Sequence, residues 1–191
     1  MTPSDIVRLM KEKAAGVQAF VSDVADFDAV ARYVTELTIK RGGQTLAATG
    51  LAPAAYDTFK AACGAAGLTL LGPPFRPHAH HIHTALTAVD GGIAETGTLV
   101  LDSAAEDVRL VTMLADTHVA ILPVSRIKPD AAAFAATLDA RLKTGKPAYH
   151  AFITGASRTA DIERVLAIGV HGPRELHILI MADRIMEDRH A

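Results

Sequence analysis

The sequence predicts a single α/β domain over residues 1–191, with a mostly parallel sheet that carries helices on both faces. Short apolar segments alternate with segments of helical length, which is typical of βαβ units. Half of the 191 residues are hydrophobic, but only 5% are aromatic and tryptophan is absent. A core of Ala, Val, Ile and Leu is typical of helices packed on parallel strands. A domain of this length can bury about 70% of its unfolded surface, so it needs no disulfide to fold.

Three helices are predicted in the first half of the chain, and each has a recognisable start. Pro3 and Asp5 indicate the first start, because proline suits the first turn and a carboxylate favours its positive end. Asp26 or Asp28 is expected to cap the second helix, and Pro53 opens the third. Apolar segments between the helices are assigned as strands. The predicted ranges are helices at 2–14, 26–41 and 53 to 64 or 67, and strands at 18–21, 44–49 and 68–71.

The second half is less regular. Residues 75–89 contain Pro77 and four histidines, and their pattern leaves the element type open. Pro129 begins an Ala-rich helix that contains no breaker, and Asp161 is expected to start another helix. A polar loop is predicted at 102–107. The remaining predicted elements are strands at 98–101, 118–122, 148–154 and 175–181, and a short helix at 108–114.

Composition excludes several classes of function. The net charge of −2 provides no basic surface for nucleic acid and no polybasic membrane patch. No apolar stretch approaches the ~18–20 residues of a membrane span, and the first residues lack the apolar region of a signal peptide. We therefore expect a cytoplasmic protein. Cys63 is the only cysteine, so residues 1–191 can form neither an internal disulfide nor a cysteine cluster for zinc or iron–sulfur.

A polar block at residues 157–163, followed by Gly-Val-His-Gly-Pro at 169–173, is the most informative part of the sequence. We expect it at the edge of the sheet where α/β proteins bind ligands. Helix-terminal amides together with Ser157, Arg158, Thr159 and Asp161 would suit a carboxylate or phosphate. Plain capping is the alternative, with Ser157 or Thr159 as the N-cap. His171 is either a proton shuttle near pH 7 or a turn residue.

Glu95 lies between two glycines and an apolar strand, in the sequence Gly-Gly-Ile-Ala-Glu-Thr-Gly-Thr-Leu-Val-Leu at 91–101. A partly buried carboxylate there could act as a base or nucleophile. It could equally fix the loop by bonding backbone amides or an arginine. Thr96, Gly97 and Thr98 complete the candidate loop. Arg109 could clamp an anion or pair with a nearby carboxylate.

Four histidines raise the question of a metal site, and they are His78, His80, His81 and His83. Imidazoles bind zinc, copper or nickel. No further ligand stands at a recognised metalloenzyme spacing, so we favour solvated or stacked histidines and predict no bound metal or cofactor.

The two motif blocks together resemble the lactate utilization protein C family, which carries the LUD domain. Residues 93–101 are similar to its first signature, and residues 157–163 with 169–173 are similar to its second. Arg109 and His118 match the part between them. The resemblance spans about residues 85–181. It implies a fold like that of sugar-phosphate isomerases and coenzyme A transferases. It also implies a role in oxidising L-lactate to pyruvate with iron–sulfur partner proteins.

Three functional hypotheses follow. The first is a cofactor-free subunit or accessory protein of a lactate-oxidising system, with a pocket for a small carboxylate. The second is a standalone enzyme on an acyl-coenzyme A or sugar-phosphate substrate that uses Glu95, by weak analogy with the glutamate of coenzyme A transferases. The third is a non-catalytic ligand-binding scaffold. The pocket is expected to be lined by Glu95, Thr96, Arg109, Ser157, Arg158, Thr159 and His171.

Overall fold

The computed structural model describes residues 1–143, 148–159, 167–168 and 171–182, and this part forms an α/β fold. Its α-helices are α1 (Pro3–Gly16), α2 (Phe27–Lys40), α3 (Pro53–Ala65), α4 (Glu106–Leu114) and α5 (Ala131–Leu142). Two 3₁₀ helices cover Arg76–His81 and Val124–Arg126. The predicted helix at Asp161 lies outside the described residues.

A six-stranded sheet forms the centre of the fold, and every strand pair in it is parallel. The strands are β1 (Phe20–Val24), β2 (Thr45–Thr49), β3 (Thr69–Leu71), β4 (Thr84–Ala88), β7 (Thr117–Pro123) and β12 (Glu175–Met181). Their order in the sheet is β1-β12-β7-β4-β2-β3. The predicted parallel sheet is therefore confirmed.

A second, four-stranded sheet was not predicted. It contains β5 (Gly91–Ile93), β6 (Thr98–Asp102), β8 (Ile127–Lys128) and β9 (His150–Ile153). Their order is β8-β5-β6-β9, with one parallel and two antiparallel pairs. A separate antiparallel pair joins β10 (Arg158–Thr159) to β11 (Ala167–Ile168). The structure therefore divides the predicted strands between two sheets.

Helices cover both faces of the parallel sheet, as predicted. On one face α2 and α3 bury a cluster that includes Val34, Phe59 and Leu86. On the other face α1 and the second sheet bury Met10, Leu99 and their neighbours. The α4 helix packs beside them on this second face. The strand β7 is buried along its whole length and β12 along all but its first residue, which explains their apolar segments at 119–123 and 178–181.

The predicted helix starts agree with the observed caps. Thr2 and Asp5 form a reciprocal capping box at α1, because each side chain bonds the other residue's backbone amide. Asp26, and not Asp28, caps α2 by accepting a bond from the Ala29 amide at 2.7 Å. The α4 helix begins at Glu106, two residues before the predicted start and inside the predicted loop.

Candidate functional site

A cavity of about 360 Å³ lies on the second face of the parallel sheet. One wall is α4, and the opposite wall is β9 with the loop that follows it. The floor is formed by the first residues of β7 and β12, through His118 and Leu176. The segment His171 to Pro173 closes one side.

The position of this cavity shows that the polar block does not lie at the edge of the sheet where we expected it. His118 and Leu176 are the second residues of two parallel strands, and residues 171–173 lead into β12. The cavity therefore lies at the amino-terminal edge of the sheet, opposite the carboxyl edge where doubly wound folds commonly bind ligands. The error arose because the strand before the block, β9, belongs to the second sheet.

Three predicted site residues line this cavity together: Arg109, Ser157 and His171. The Ser157 amide donates to the Pro173 carbonyl at 2.8 Å, which joins the two halves of the polar block. Gly172 makes this approach possible, since a Cβ there would lie only 3.0 Å from the Ser157 Cβ. The fold thus brings Arg109 to the same cavity as Ser157 and His171, which lie 48 and 62 positions further along the sequence.

Arg109 is oriented by its own helix start. Its Nη1 donates to the carbonyls of Ser103 at 2.5 Å and Ala104 at 2.7 Å. The neighbouring Glu106 pairs instead with Arg76 across the surface. Because both bonds use Nη1, they leave Nη2 and Nε of Arg109 for a ligand.

His118 is a buried histidine on the cavity floor. Its Nε2 lies 2.8 Å from the hydroxyl of Thr87, which is also buried. Burial lowers the pKa of His118 to about 4, so the ring is neutral at physiological pH. In the sequence, His118 matched only the part of the family pattern between the two motifs, and it was not among the predicted site residues.

A row of threonine hydroxyls leads from the Glu95 loop to the cavity. The Thr96 and Thr98 hydroxyls are 2.7 Å apart, and Thr98 lies 2.7 Å from the hydroxyl of Thr154, which lines the cavity. Two of the predicted ligand residues, Thr96 and Thr98, therefore reach the cavity through a third residue. Thr154, like the cavity residues Ser103 and Thr112, was missed because a single hydroxyl residue has no diagnostic sequence pattern.

Glu95 lies outside the lining of this cavity. Its carboxylate is exposed and accepts a bond from the amide of Ala131 at 3.1 Å, at the start of α5. Its own amide donates to the Pro129 carbonyl at 3.0 Å. This geometry matches the loop-fixing alternative. A catalytic role for Glu95 stays a prediction.

Two residues of the predicted motifs, Gly97 and Arg158, and the neighbouring Gly155 contact the last turn of α1 or Val17, the residue that caps it. Gly97 and Gly155 have φ angles of +65° and +78°, and a Cβ on either would overlap α1 backbone atoms or the Val17 carbonyl. Arg158 donates from Nη2 to the Val17 carbonyl at 2.7 Å. These residues hold the loops of the second sheet against α1.

The capping interpretation of Ser157 is wrong in this structure, because the next two residues form β10 and not the first turn of a helix. Thr159 is described here only by its backbone, as the second residue of β10. Asp161 lies outside the described residues.

The histidines near residue 80 lie on the first 3₁₀ helix or just after it. The rings of His80 and His81 are in contact, with centroids 3.8 Å apart and planes tilted by 43°, and Nδ1 of His83 lies 2.9 Å from the Thr84 hydroxyl. Within the described ranges, no three His, Cys, Asp or Glu side chains are grouped to hold a metal ion. None of the helices described here is long and apolar enough to cross a membrane.

A second polar network, missed from the sequence, lies on the opposite face at the start of β12. Arg41 pairs with the Glu175 carboxylate through Nη2 at 2.8 Å and Nε at 2.9 Å. One oxygen of the same carboxylate lies 3.1 Å from Nε2 of His177. Nδ1 of His177 contacts the Tyr33 hydroxyl at 2.8 Å, and Phe20 stacks on the ring. Burial lowers the pKa of His177, an effect that Glu175 partly opposes. The network ties α2 to β1 and β12.

The fold and cavity define an α/β domain with a ligand-sized pocket between a parallel and a mixed sheet. Residues 5–181 match the LUD domain, and the chain belongs to the LUD domain family. A DUF162 family protein from Deinococcus radiodurans has the same fold, with a TM-score of 0.64 at 19% identity. That match covers 95% of this chain and 99% of the other.

Sequence relatives include proteins named Lactate utilization protein C. The one from Geobacillus kaustophilus is 39% identical over 94 residues, which are 48% of this chain and 39% of that protein. The one from Bacillus subtilis is 34% identical over 108 residues, which are 56% of this chain and 45% of that protein. The matched region thus spans less than half the length of each of these relatives.

Proposed function

We propose that this chain is the carboxylate-binding component of a lactate-oxidising system and works with iron–sulfur partner proteins. One observation carries the proposal: the cavity brings Arg109, Ser157 and His171 together from separate parts of the sequence. Two of these three residues belong to the motif that resembles the lactate utilization protein C family. The names of the relatives support the same biological setting.

The chemistry of the cavity suits a small carboxylate. Among the described residues Arg109 makes hydrogen bonds only through Nη1, so its Nη2 and Nε provide charge and two donors for the carboxylate oxygens. Ser157 and the threonine hydroxyls provide neutral donors and acceptors for a hydroxyl or keto oxygen. His118 contributes no positive charge at neutral pH, so Arg109 is the residue assigned to the anionic group.

Oxidation of lactate also needs an electron acceptor, and the proposal places that acceptor on partner proteins. Residues 1–191 contain one cysteine, Cys63, whereas iron–sulfur clusters use several cysteine ligands. Cys63 is buried, and burial raises the pKa of its thiol to about 11, which disfavours the reactive thiolate. The chain would bind the acid while its partners receive the electrons.

The proposal is tested by co-expression with candidate iron–sulfur partners, followed by co-purification and lactate-dependent dye reduction. We expect Arg109→Ala to reduce dye reduction at least about tenfold, in line with the loss of a charge-assisted bond. Arg8→Ala is the matched control, because Arg8 is an exposed arginine paired with Asp5 on α1. Full activity of the Arg109 variant, or no co-purifying partner, would contradict the proposal.

The Glu95 enzyme hypothesis has a separate test. A nucleophilic carboxylate would form an adduct when the protein is incubated with acyl-coenzyme A, and mass analysis of the intact protein would detect it. The bond from Glu95 to the start of α5 favours a positioning role, so we expect no adduct.

A further inference from the structure

We propose that the main chain of Phe152, on the outer edge of β9, binds the α-oxygen of an α-hydroxy or α-keto acid in the cavity. The outer edge is the side of β9 that faces away from β6. This inference rests on the proposed carboxylate site and adds the group that recognises the second polar function of its ligand. Two observations support it: the outer edge of β9 borders the cavity, and the ladder with β6 turns the N–H and C=O of Phe152 toward that edge.

The outer edge of β9 forms a wall of the cavity. β9 is the last strand of the second sheet, and among the described residues only β6 pairs with it. Residues 151–156 line the cavity without a gap. Successive side chains of a strand point to opposite faces, so an unbroken run of lining residues indicates that the strand presents its edge. The wall therefore consists of main-chain N–H and C=O groups, which strands normally pair.

The direction of these main-chain groups follows from the antiparallel ladder with β6. The Ser103 amide donates to the Tyr149 carbonyl at 2.7 Å, so these opposite residues form a hydrogen-bonded pair. Such pairs alternate with pairs that do not bond each other, and Val100 with Phe152 falls on a non-bonded pair. In agreement, the Val100 carbonyl accepts from the Asp90 amide at 2.9 Å, beside β5. The N–H and C=O of Phe152 therefore point to the outer edge.

The side chain of Phe152 lies on another side of the second sheet. It shares a face with its cross-strand partner Val100, which packs with Phe134 of α5 in an apolar cluster. The cavity floor, with His118, belongs to the parallel sheet on the opposite side. Phe152 thus contributes its main chain, and not its ring, to the lining of the cavity.

One edge residue offers both a donor and an acceptor, which suits an oxygen that changes its role. The hydroxyl of lactate can donate to the Phe152 carbonyl, and the keto oxygen of pyruvate can accept from the Phe152 amide. Arg109, on the opposite wall, provides the charge for the carboxylate. The cavity would therefore hold both the hydroxy acid and the keto acid, and bind an acid without the α-oxygen more weakly.

Amide NMR spectra of the isotope-labelled chain, titrated with pyruvate and with propionate, test the inference. The two acids share the carboxylate and the carbon chain, but propionate lacks the α-oxygen. We expect pyruvate to move the Phe152 amide proton downfield, and further than those of Ala151 and Ile153, whose positions in the ladder direct them to β6. Propionate should move the Phe152 signal much less.

A pair of variants at one position isolates the N–H group. Phe152→Pro removes the outward N–H and keeps the bonds to β6, since proline is tolerated where an edge N–H has no partner strand. Phe152→Ala is the comparison, because it loses the same ring and keeps the N–H. In isothermal titrations the proline variant should bind pyruvate about fivefold more weakly than the alanine variant, as expected for one hydrogen bond. The two variants should bind propionate equally.

His150→Pro is the matched control, because residue 150 points to the same edge but does not line the cavity. Its affinity for pyruvate should equal that of the wild type. Equal pyruvate affinities of the two Phe152 variants would overturn the inference, and so would a Phe152 amide that moves no further than its neighbours. Either result, with pyruvate still bound, would leave the proposed carboxylate site intact. Binding of neither lactate nor pyruvate to the folded wild type would overturn both. If the proline variant does not fold, the wild-type amide titration decides alone.

Discussion

The buried histidine on the cavity floor makes the stability of this domain depend on pH. His118 has a folded-state pKa of about 4, compared with an ordinary value of 6.5. Since the folded value is the lower one, the unfolded chain binds the proton first as the pH falls. The contribution of His118 to stability is therefore fully present above about pH 6.5 and is lost progressively down to about pH 4.

The size of the effect follows from the two pKa values. At pH 5 the unfolded imidazole is almost entirely protonated and the folded one is almost entirely neutral. Linkage then gives a loss of about 2 kcal/mol in the free energy of unfolding between pH 7.5 and pH 5. This is a substantial fraction of the ~5–15 kcal/mol that stabilises a typical domain.

Urea unfolding at pH 7.5, 6 and 5, followed by far-ultraviolet circular dichroism, measures the loss. The comparison variant is His118→Gln, which is neutral at every pH and retains an amide to bond the Thr87 hydroxyl. The variant should lose about 2 kcal/mol less than the wild type over this range, whatever its stability at pH 7.5. His177, whose pKa is also lowered, contributes equally to both curves and cancels. Parallel stability curves for the two proteins would refute the reasoning.

Three further changes test the packing of the motif residues. In urea titrations, Gly97→Ala should lower the free energy of unfolding more than Gly42→Ala does. Both glycines have a positive φ, whose strain alone costs an alanine about 1–2 kcal/mol, but only Gly97 faces the α1 backbone. Equal losses for the two variants would contradict this packing. In the same assay, Arg158→Ala should lower the free energy of unfolding by about 1 kcal/mol, because the bond to the Val17 carbonyl is lost, and it should leave the affinity for a carboxylic acid such as lactate unchanged. A large loss of that affinity would instead indicate that Arg158 binds the ligand. Glu95→Gln should lower the melting temperature by only a few degrees, since the amide oxygen can still accept the bond at α5; a drop of more than about 10 °C would show a larger role.

Much of the fold was predictable because its signals are local. The capping box at Thr2, the cap at Asp26 and the apolar strand that ends at Met181 are all encoded by neighbouring residues. The second sheet was not predictable in the same way. Its strands β5 and β8 contain only three and two residues, too few for any periodic pattern to emerge. Their pairing depends on contacts between distant segments.

The candidate site was predicted in part for a related reason. Arg109, Ser157 and His171 were found because they carry charge or stand in a polar block, and the fold brings them together. His118 was missed as a site residue because a histidine within an apolar strand is indistinguishable from a core residue. The bond between the Glu95 carboxylate and the start of α5 could not be predicted, because sequence gives no direction for a side chain on a turn.

The end of α1 does not line the cavity, but it is in contact with Gly97, Gly155 and Arg158 from the loops beside the cavity. The helix therefore supports the position of these loops. A ligand that tightens the loop after β9 would restrain this turn as well. Amide hydrogen exchange in residues 14–17 would therefore slow on ligand binding, although none of these residues touches the ligand. The first helix would report occupancy of a site on the far side of the loops it supports.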